Sequence, residues 1–473
     1  MTQDVTIWST ARRMLQALES KEISARELLQ LHLDRIDQVN PTLNALVSLD
    51  PERAMKAAEV ADEKTAKGES LGPLHGLPYT VKDTHEAGQW RSTFGSVLRS
   101  DHYPEESELV VKRAEEAGVV VVAKSNVPEF AAGSHTFNPI FGTTVNPYDP
   151  TRSAGGSSGG ATAALAAGMV PLADGSDMGG SLRNPASFCN VVGMRPSWGR
   201  VPTYPNVNIY ESTATQGPLA RNVDDLALLL SVLAGPTPYV ATAHETPGAE
   251  FAQVSEIDLK GMRMALSVDL NGAFQVDHEV ASIVEAQGAV FENLGVNVEK
   301  ASPNLAEAED TFRTLRAWQF QVAFGELFAQ HPESFKQSLA DNIRAGENLT
   351  GHDIARAYCQ RTEMSQRMAA FFETYDALLM PVSQVPPFPA DQEYPQDING
   401  QVQETYLDWM RSAYFITVTG CPAISMPAGF TSDGLPVGLQ IVTKPNSDAF
   451  LLQIAKAFEQ VTRVADQRPE ALG

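Results

Sequence analysis

The sequence predicts an α/β protein built on a mixed β-sheet that helices largely cover. Helical and strand patterns alternate along the 473 residues, and no internal repeat interrupts them. The run GVVVVAK (118–124) is continuous and β-branched, as expected of a strand that is covered on both faces. Hydrophobic residues make up 43% of the chain and charged residues 20%, which is typical of a globular protein with a large core.

The N-terminal part of the chain, residues 6–66, is predicted to be helical. Ser24 and Glu27 stand at the spacing of a capping box, and the apolar residues after them recur at helical intervals. Asn40–Pro41 is expected to end this helix, because proline disfavours the helical conformation of the residue before it. The segment MKAAEVADEKTAKG forms a second helix, which ends at Gly68.

The rest of the chain alternates between strands and helices. Strands are predicted in 77–81, 119–124, 262–269, 296–300, 375–382 and 436–442. Helices are predicted in 107–117, 161–168, 222–235, 278–295, most of 304–377 and 448–462. The segment 146–160 is a loop rich in Pro, Gly and Ser. The Pro-rich stretch 381–397 is interpreted as a surface loop within one domain rather than as a linker.

The charge and cysteine content of the chain exclude several classes of protein. A formal net charge of −23 argues against nucleic-acid binding and against adhesion to anionic membranes, since both need a basic surface. Cys189, Cys359 and Cys421 are too far apart for a disulfide framework or a zinc site. The N-terminus lacks the apolar core of a signal peptide, and no apolar run is long enough to span a bilayer. A cytoplasmic protein is therefore expected.

Two serine clusters flanked by glycine, GGSSGG and GGS, occur within residues 154–186. One hypothesis is that this segment binds phosphate. It lacks the lysine of a P-loop and the spacing of a dinucleotide fingerprint, so the only support for a nucleotide site is that the amides of a glycine-rich loop can bind an anion. Interpreted as a nucleophile, a serine needs a base. None of the nine histidines lies in a recognisable triad motif, and there is no GxSxG elbow. Lys82, at the end of the apolar run LPYTV, is the alternative base if burial keeps it neutral.

These motifs and several others resemble those of the amidase signature family of serine amidohydrolases. The matching segments, in the family's order, are GLPYTVKD (76–83), VAKSNVPEF (122–130), FGTTVNPYDPTRSAGGSSGG (141–160), DGSDMGGSLRNPASFCNVVGMRPSWGRVP (174–202), QGPLARNVDD (216–225) and GCPAISMPAGFTSDGLPVGLQIV (420–442). The resemblance implies a three-layer α/β/α fold in a single domain, 1–473. That domain would comprise an N-terminal helical segment (1–68), a catalytic core (76–235) and the remainder of the sheet with pocket-lining helices (262–442).

The same resemblance implies a Ser–cis-Ser–Lys triad. It makes Ser181 the nucleophile, Ser157 the bridging serine with a cis peptide bond to Gly156, and Lys82 the base. The backbone N–H groups of Met178, Gly179, Gly180 and Ser181 would form the oxyanion hole. Ser158, Asp177 and Arg183 would support the site.

The chain also departs from the family's pattern at several positions. Ser176 and Met178 stand where many members have other residues, and Met178 would still contribute its backbone amide. Ala214–Thr215–Gln216 replaces a common DT-GP pattern, a departure that bears on specificity and not on the chemistry. The segment 202–213 is interpreted as a pocket rim or lid. Candidate pocket residues are Ala131, Tyr210 and Trp318, with Phe320 and Phe324 beside the last of these.

The expected function is hydrolysis of small aryl or alkyl amides, including anilides, carbamates and nylon-type oligomers, without a metal or an organic cofactor. A homodimer is compatible with the family. Two alternatives stay open: the glutaminase subunit of a tRNA-dependent amidotransferase, and a non-catalytic binding protein. The SDMGGSLRNPA block differs from the TDTGGS block of that glutaminase subunit.

Overall fold

The computed structural model describes residues 5–69 and 71–472, which form thirteen α-helices and fifteen β-strands. The helices are α1 (Ala11–Glu19), α2 (Ala25–Leu43), α3 (Pro51–Lys67), α4 (Leu109–Glu116), α5 (Gly159–Ala166), α6 (Arg183–Phe188), α7 (Val223–Leu233), α8 (His278–Asn293), α9 (Ala308–Gln330), α10 (Gln337–Glu347), α11 (Gly351–Phe371), α12 (Arg411–Thr419) and α13 (Asp448–Thr462). The strands are β1 (Leu46–Val47), β2 (Pro78–Lys82), β3 (Val120–Ser125), β4 (Phe137–Asn138), β5 (Gly142–Thr143), β6 (Leu172–Asp177), β7 (Val192–Arg195), β8 (Thr215–Ala220), β9 (Arg263–Leu266), β10 (Asn297–Lys300), β11 (Ala377–Pro381), β12 (Asp397–Ile398), β13 (Gln401–Val402), β14 (Ala423–Phe430) and β15 (Pro436–Val442).

Eleven of the strands form one mixed sheet in the order β1-β3-β2-β6-β8-β7-β14-β15-β11-β9-β10. Neighbours from β3 to β6 and from β11 to β10 are parallel, whereas the strands between β6 and β11 pair antiparallel. Every residue of β2, β3, β8 and β15 is buried, as expected of strands covered on both faces. This architecture confirms the predicted α/β class with a mixed central sheet.

The helices at the start of the chain show where a local signal is overridden. The capping box of Ser24 and Glu27 is present, and α3 ends at Gly68, which has a left-handed φ of 67°. The prediction that α2 stops at Asn40–Pro41 is wrong, because the helix continues to Leu43. Pro41 lies in the last turn, and the Asn40 side chain accepts hydrogen bonds from the backbone N–H groups of residues 45 and 46. That side chain stabilises the helix end despite the proline.

The Pro-rich stretch 381–397 is only partly at the surface. Val382 and Val385 are buried, and the Phe388 ring packs edge-on against the rings of Phe188 and Trp409. The prediction of a surface loop is therefore wrong for its first half, because three apolar side chains anchor that half in the core.

No helix in the described ranges has both the length and the apolarity that crossing a membrane requires.

Candidate active site

The candidate catalytic residues meet at one edge of the sheet because two neighbouring strands are parallel. Lys82 is the last residue of β2, and the segment 178–182 follows β6 directly. Since β2 and β6 pair in parallel, their carboxyl ends lie at the same edge. Ser157 precedes α5, which packs on both strands. The fold thus joins three segments that are far apart in the sequence.

Lys82 is completely buried, and its ammonium nitrogen lies among three serine hydroxyls. Nζ donates hydrogen bonds to the Oγ atoms of Ser157 at 2.8 Å, Ser158 at 2.9 Å and Ser176 at 3.0 Å. Burial lowers the pKa of Lys82 to about 7, although Asp174 and Asp177 act in the opposite direction. A substantial fraction of this lysine is therefore neutral near neutral pH, as a general base requires.

The two serine clusters lie against each other. The predicted cis peptide bond between Gly156 and Ser157 is confirmed. The backbone N–H of Ser158 donates to the carbonyl of Ser181 at 3.2 Å, which brings the two clusters into contact. Ser157 and Ser181 line the same cavity, and Ser181 retains 8% exposure within it. A substrate in that cavity would meet both hydroxyls.

The loop after β6 is held by the Asp177 carboxylate. It accepts hydrogen bonds from the backbone N–H groups of Gly180 at 3.0 Å and Leu182 at 3.2 Å. The Gly180 N–H, which was expected in the oxyanion hole, has the Asp177 carboxylate as its acceptor in this structure. Within the described residues, the N–H groups of Met178, Gly179 and Ser181 donate to no protein acceptor. These three N–H groups are therefore free of protein acceptors next to the Ser181 hydroxyl's cavity.

The expected pair of Asp177 and Arg183 is present and fully buried. Arg183 donates from Nε at 2.9 Å and from Nη2 at 2.8 Å, which is a bidentate geometry. Although burial alone would raise the pKa of Asp177, Arg183 and Arg195 hold it well below its usual range. Arg183 also donates to the carbonyl of Ala413, which ties the loop to the segment that precedes β14.

The cavity at Ser181 has a volume of about 230 Å³ and is largely apolar. Its apolar lining comes from Phe130, Ala131, Met178, Val207, Ala214, Phe320, Ala323, Phe324 and Met410. An adjoining cavity of about 330 Å³ shares Phe130, Ala131 and Ser176 with it and has a polar wall formed by His85, Glu108 and Gln216. Burial raises the pKa of Glu108 well above its usual value.

The candidate pocket residues have different positions in the structure. Ala131 lines both cavities, as expected. Tyr210 is 64% exposed and lines neither, and Trp318 packs edge-on against Tyr358 away from both. Those two predictions are wrong because Tyr210 is mostly in solvent and the Trp318 ring packs against Tyr358 instead of lining a cavity. The segment 202–213 does form a rim, through residues 206, 207 and 211.

Several residues of the site were not assigned a role from the sequence. The Ser176 hydroxyl accepts from Lys82, and the Asp174 carboxylate accepts from the Lys82 backbone N–H at 3.3 Å and from His85. Arg316 lines the Ser181 cavity. The position of Asp174 directly after the apolar run MVPLA (169–173) is a signal that would have identified it. Among residues 5–69 and 71–472, no three His, Cys, Asp or Glu side chains cluster as a metal site would require.

Comparison with known proteins finds a matching family and close relatives over nearly the whole chain. The model of the Amidase family matches residues 27–452. The acylamidase of Rhodococcus erythropolis is 36% identical over 99% of this chain and 98% of its own length. A glutamyl-tRNA(Gln) amidotransferase subunit of Moorella thermoacetica is 35% identical, with 98% of each chain covered.

Among solved structures, a bacterial aryl acylamidase of the amidase signature family superimposes with a TM-score of 0.91 at 28% identity. The match covers 97% of this chain and 98% of that one. The family match extends over nearly the whole chain, and it includes the segments that carry Lys82, Ser157 and Ser181. This chain therefore belongs to the amidase signature family and is an amide-hydrolysing enzyme.

Proposed function

We propose that the protein is a stand-alone amidase that hydrolyses small aryl or alkyl amides through an acyl-enzyme on Ser181. The observation that carries this proposal is the buried Lys82, whose Nζ lies 2.8 Å from the Ser157 hydroxyl at the wall of the cavity that Ser181 lines. A lysine with a pKa of about 7 is a competent base at neutral pH.

The mechanism follows from this arrangement. Neutral Lys82 takes a proton from Ser157, which takes one from Ser181 as its Oγ attacks the amide carbonyl. The oxyanion accepts hydrogen bonds from the N–H groups of Met178, Gly179 and Ser181, each worth about 3 kcal/mol in the transition state. Ser157 then delivers a proton to the leaving amine, and water hydrolyses the acyl-enzyme by the same relay in reverse.

The lining of the cavity supports aryl and alkyl substrates. Phe130, Phe320 and Phe324 surround the space next to Ser181, and aromatic walls favour aromatic or extended apolar groups. The similarity to an acylamidase points to the same class of substrate. Anilides and short nylon-type oligomers have the same scissile amide bond, and the carbonyl of a carbamate is open to attack by the same serine. A cytoplasmic location is part of this proposal.

The alternative is the glutaminase subunit of a tRNA-dependent amidotransferase. One observation favours this alternative. The chain is 35% identical to the amidotransferase subunit, which is close to its 36% identity to the acylamidase. Such a glutaminase would release ammonia from glutamine and pass it to a partner. The two functions differ in whether the isolated chain hydrolyses a neutral anilide.

The test is a hydrolysis panel with the purified chain, containing glutamine, acetamide, a nitroanilide, a nitrophenyl carbamate and a short nylon oligomer. Ser181→Ala serves as the matched control for each substrate. We expect turnover of the nitroanilide by the native chain and none by Ser181→Ala. Turnover of glutamine alone would favour the amidotransferase function, and turnover that survives in Ser181→Ala would overturn the proposed nucleophile.

A further inference from the structure

Arg316 is a buried cation in the wall of the nucleophile's cavity. It lies on α9, retains 4% exposure, and lines the same cavity as Ser157 and Ser181. Its guanidinium carbon lies 4.1 Å from the ring centroid of Phe320, which is a cation–π contact. None of the catalytic steps described above uses this side chain.

The hydrogen-bond partners of Arg316 are all neutral. Nη2 donates to the Tyr406 hydroxyl at 2.8 Å, Nε donates to Asn342 Oδ1 at 3.3 Å, and Nη1 contacts the Met178 sulfur at 3.2 Å. Within the part of the chain that the structure describes, Arg316 forms no ion pair. A guanidinium has five N–H groups, so this set of neutral partners leaves donor capacity at the cavity.

Three other buried arginines have a carboxylate partner, whereas buried Arg221 donates to backbone carbonyls only. Arg183 and Arg195 share Asp177, with nitrogen–oxygen distances of 2.8 Å and 3.4 Å. Arg200 pairs with Asp448 at 3.1 Å. A buried charge without a counter-charge is costly, and a site that tolerates one is suited to a ligand that supplies it.

The charged groups around Arg316 have partners other than Arg316. Lys336 also lies near Tyr406, with its Nζ 5.8 Å from the ring centroid, compared with 5.7 Å for Arg316. Lys336 is itself paired with Glu393 at 3.4 Å. The acid Glu211, on the rim of the cavity, instead accepts from the N–H of Ala214 at 2.8 Å.

We propose that Arg316 binds a carboxylate carried by the amide substrate, so that the enzyme prefers anionic amides over their neutral counterparts. The guanidinium presents a planar fork that matches a carboxylate, and its position in the Ser181 cavity places that anchor within reach of a small substrate's remote end. This inference rests on the proposed function, since it names the class of amide that the Ser181 site accepts.

The test measures binding first, so that it does not depend on turnover. Calorimetry on Ser181→Ala would compare succinanilate with its methyl ester, for a carboxylate on the acyl side. It would also compare 4-acetamidobenzoate with acetanilide, for a carboxylate on the amine side. We expect the carboxylate of at least one pair to bind about tenfold or more tightly than its neutral counterpart. In Ser181→Ala/Arg316→Met the preference should disappear, whereas Ser181→Ala/Arg344→Met, which removes an exposed arginine of α10 outside the cavity, should retain it.

If Ser181→Ala bound the acid and the neutral compound equally in both pairs, the inference would be overturned, and no Arg316 variant would be needed to show it. An equal loss of affinity for both members of a pair in Arg316→Met would also overturn it, because that result means a purely structural role. Arg316→Lys keeps the charge and provides the comparison if the methionine variant does not fold. Failure of the proposed function would look different: neither the anionic nor the neutral anilides would show Ser181-dependent turnover by the native chain.

Discussion

Lys82 Nζ lies 2.8 Å from the hydroxyl of Ser157, and both residues are completely buried. The contact joins the end of β2 to the segment before α5 across 75 positions of sequence. In water the lysine would be protonated and unable to accept a proton at neutral pH, whereas here burial lowers its pKa to about 7. The relation between these two residues determines how activity responds to pH and to substitution.

Activity should rise with pH through the pKa of Lys82. The base must be neutral, and it is protonated below a pKa of about 7. We expect kcat/KM for a neutral anilide to increase about tenfold per pH unit on the acidic side and to level off above it. A profile that stays flat through this range would contradict the role of Lys82 as the base.

Replacing Lys82 by methionine should remove catalysis while keeping the fold. Methionine has a similar length but no proton-accepting nitrogen, so we expect kcat to fall by about 10²–10⁴. Lys124→Met is the matched control, because Lys124 is equally buried but donates to Ser92 and lines neither cavity. That control should lose stability in thermal unfolding while its remaining activity keeps the native pH profile. If kcat fell equally in both variants, Lys82 would have a structural role like that of Lys124 and would not be the base.

Ser157 and Ser158 provide a comparison between two neighbouring hydroxyls. Both accept from Lys82, at 2.8 Å and 2.9 Å, but only Ser157 lines the cavity. We expect Ser157→Ala to lower kcat by about 10²–10⁴, as loss of a proton relay should, and Ser158→Ala to cost about tenfold or less. Single-turnover measurements of acylation would test this, and a larger loss for Ser158→Ala would reverse the assignment.

Gly180→Ala should destabilise the loop after β6 for two reasons: first the backbone strain of a positive φ, and second a steric clash of the added Cβ. Gly180 has a φ of 111°, and an added Cβ would lie 2.6 Å from Ala413 Cβ and 2.6 Å from Asn184 Nδ2. Gly434→Ala isolates the first reason, since Gly434 has a φ of 78° and nothing within 4 Å of the added atom. We expect about 1–3 kcal/mol of backbone strain for Gly434→Ala and a greater loss, with loss of activity, for Gly180→Ala. Equal unfolding free energies for the two variants would contradict the predicted steric conflict.

Asp177→Asn should be strongly destabilising, because Arg183 would keep its charge in a fully buried position without a carboxylate. Breaking such a pair costs about 3–5 kcal/mol in chemical unfolding. Glu299→Gln removes one partner of the exposed pair with Arg263 and should cost about 1 kcal/mol or less. Similar costs for the two substitutions would show that the buried pair is not what holds the loop.

The sequence alone indicated much of the fold and the catalytic segments. Strands with continuous β-branched or apolar runs, such as β3 and β15, and helices with caps at Ser24 or Asn222 were predictable because their signals are local. Strands β6, β7, β8 and β14 were not predicted. Sequences such as LADGSD and TQGPLA contain Gly, Pro and Asp, which locally favour loops, and only pairing in the centre of the sheet makes them strands.

By itself the sequence determined the family, the α/β class and the three residues proposed as the triad, since each lies in a short motif whose pattern is readable along the chain. Tertiary structure alone decided that Ser176 contacts Lys82, that Asp177 occupies the Gly180 N–H, and that Arg316 faces Ser181's cavity without a carboxylate. The physical reason is that pKa, hydrogen-bond occupancy and pocket charge depend on burial and on neighbours from other segments. Those neighbours come together only when the sheet and its helices pack.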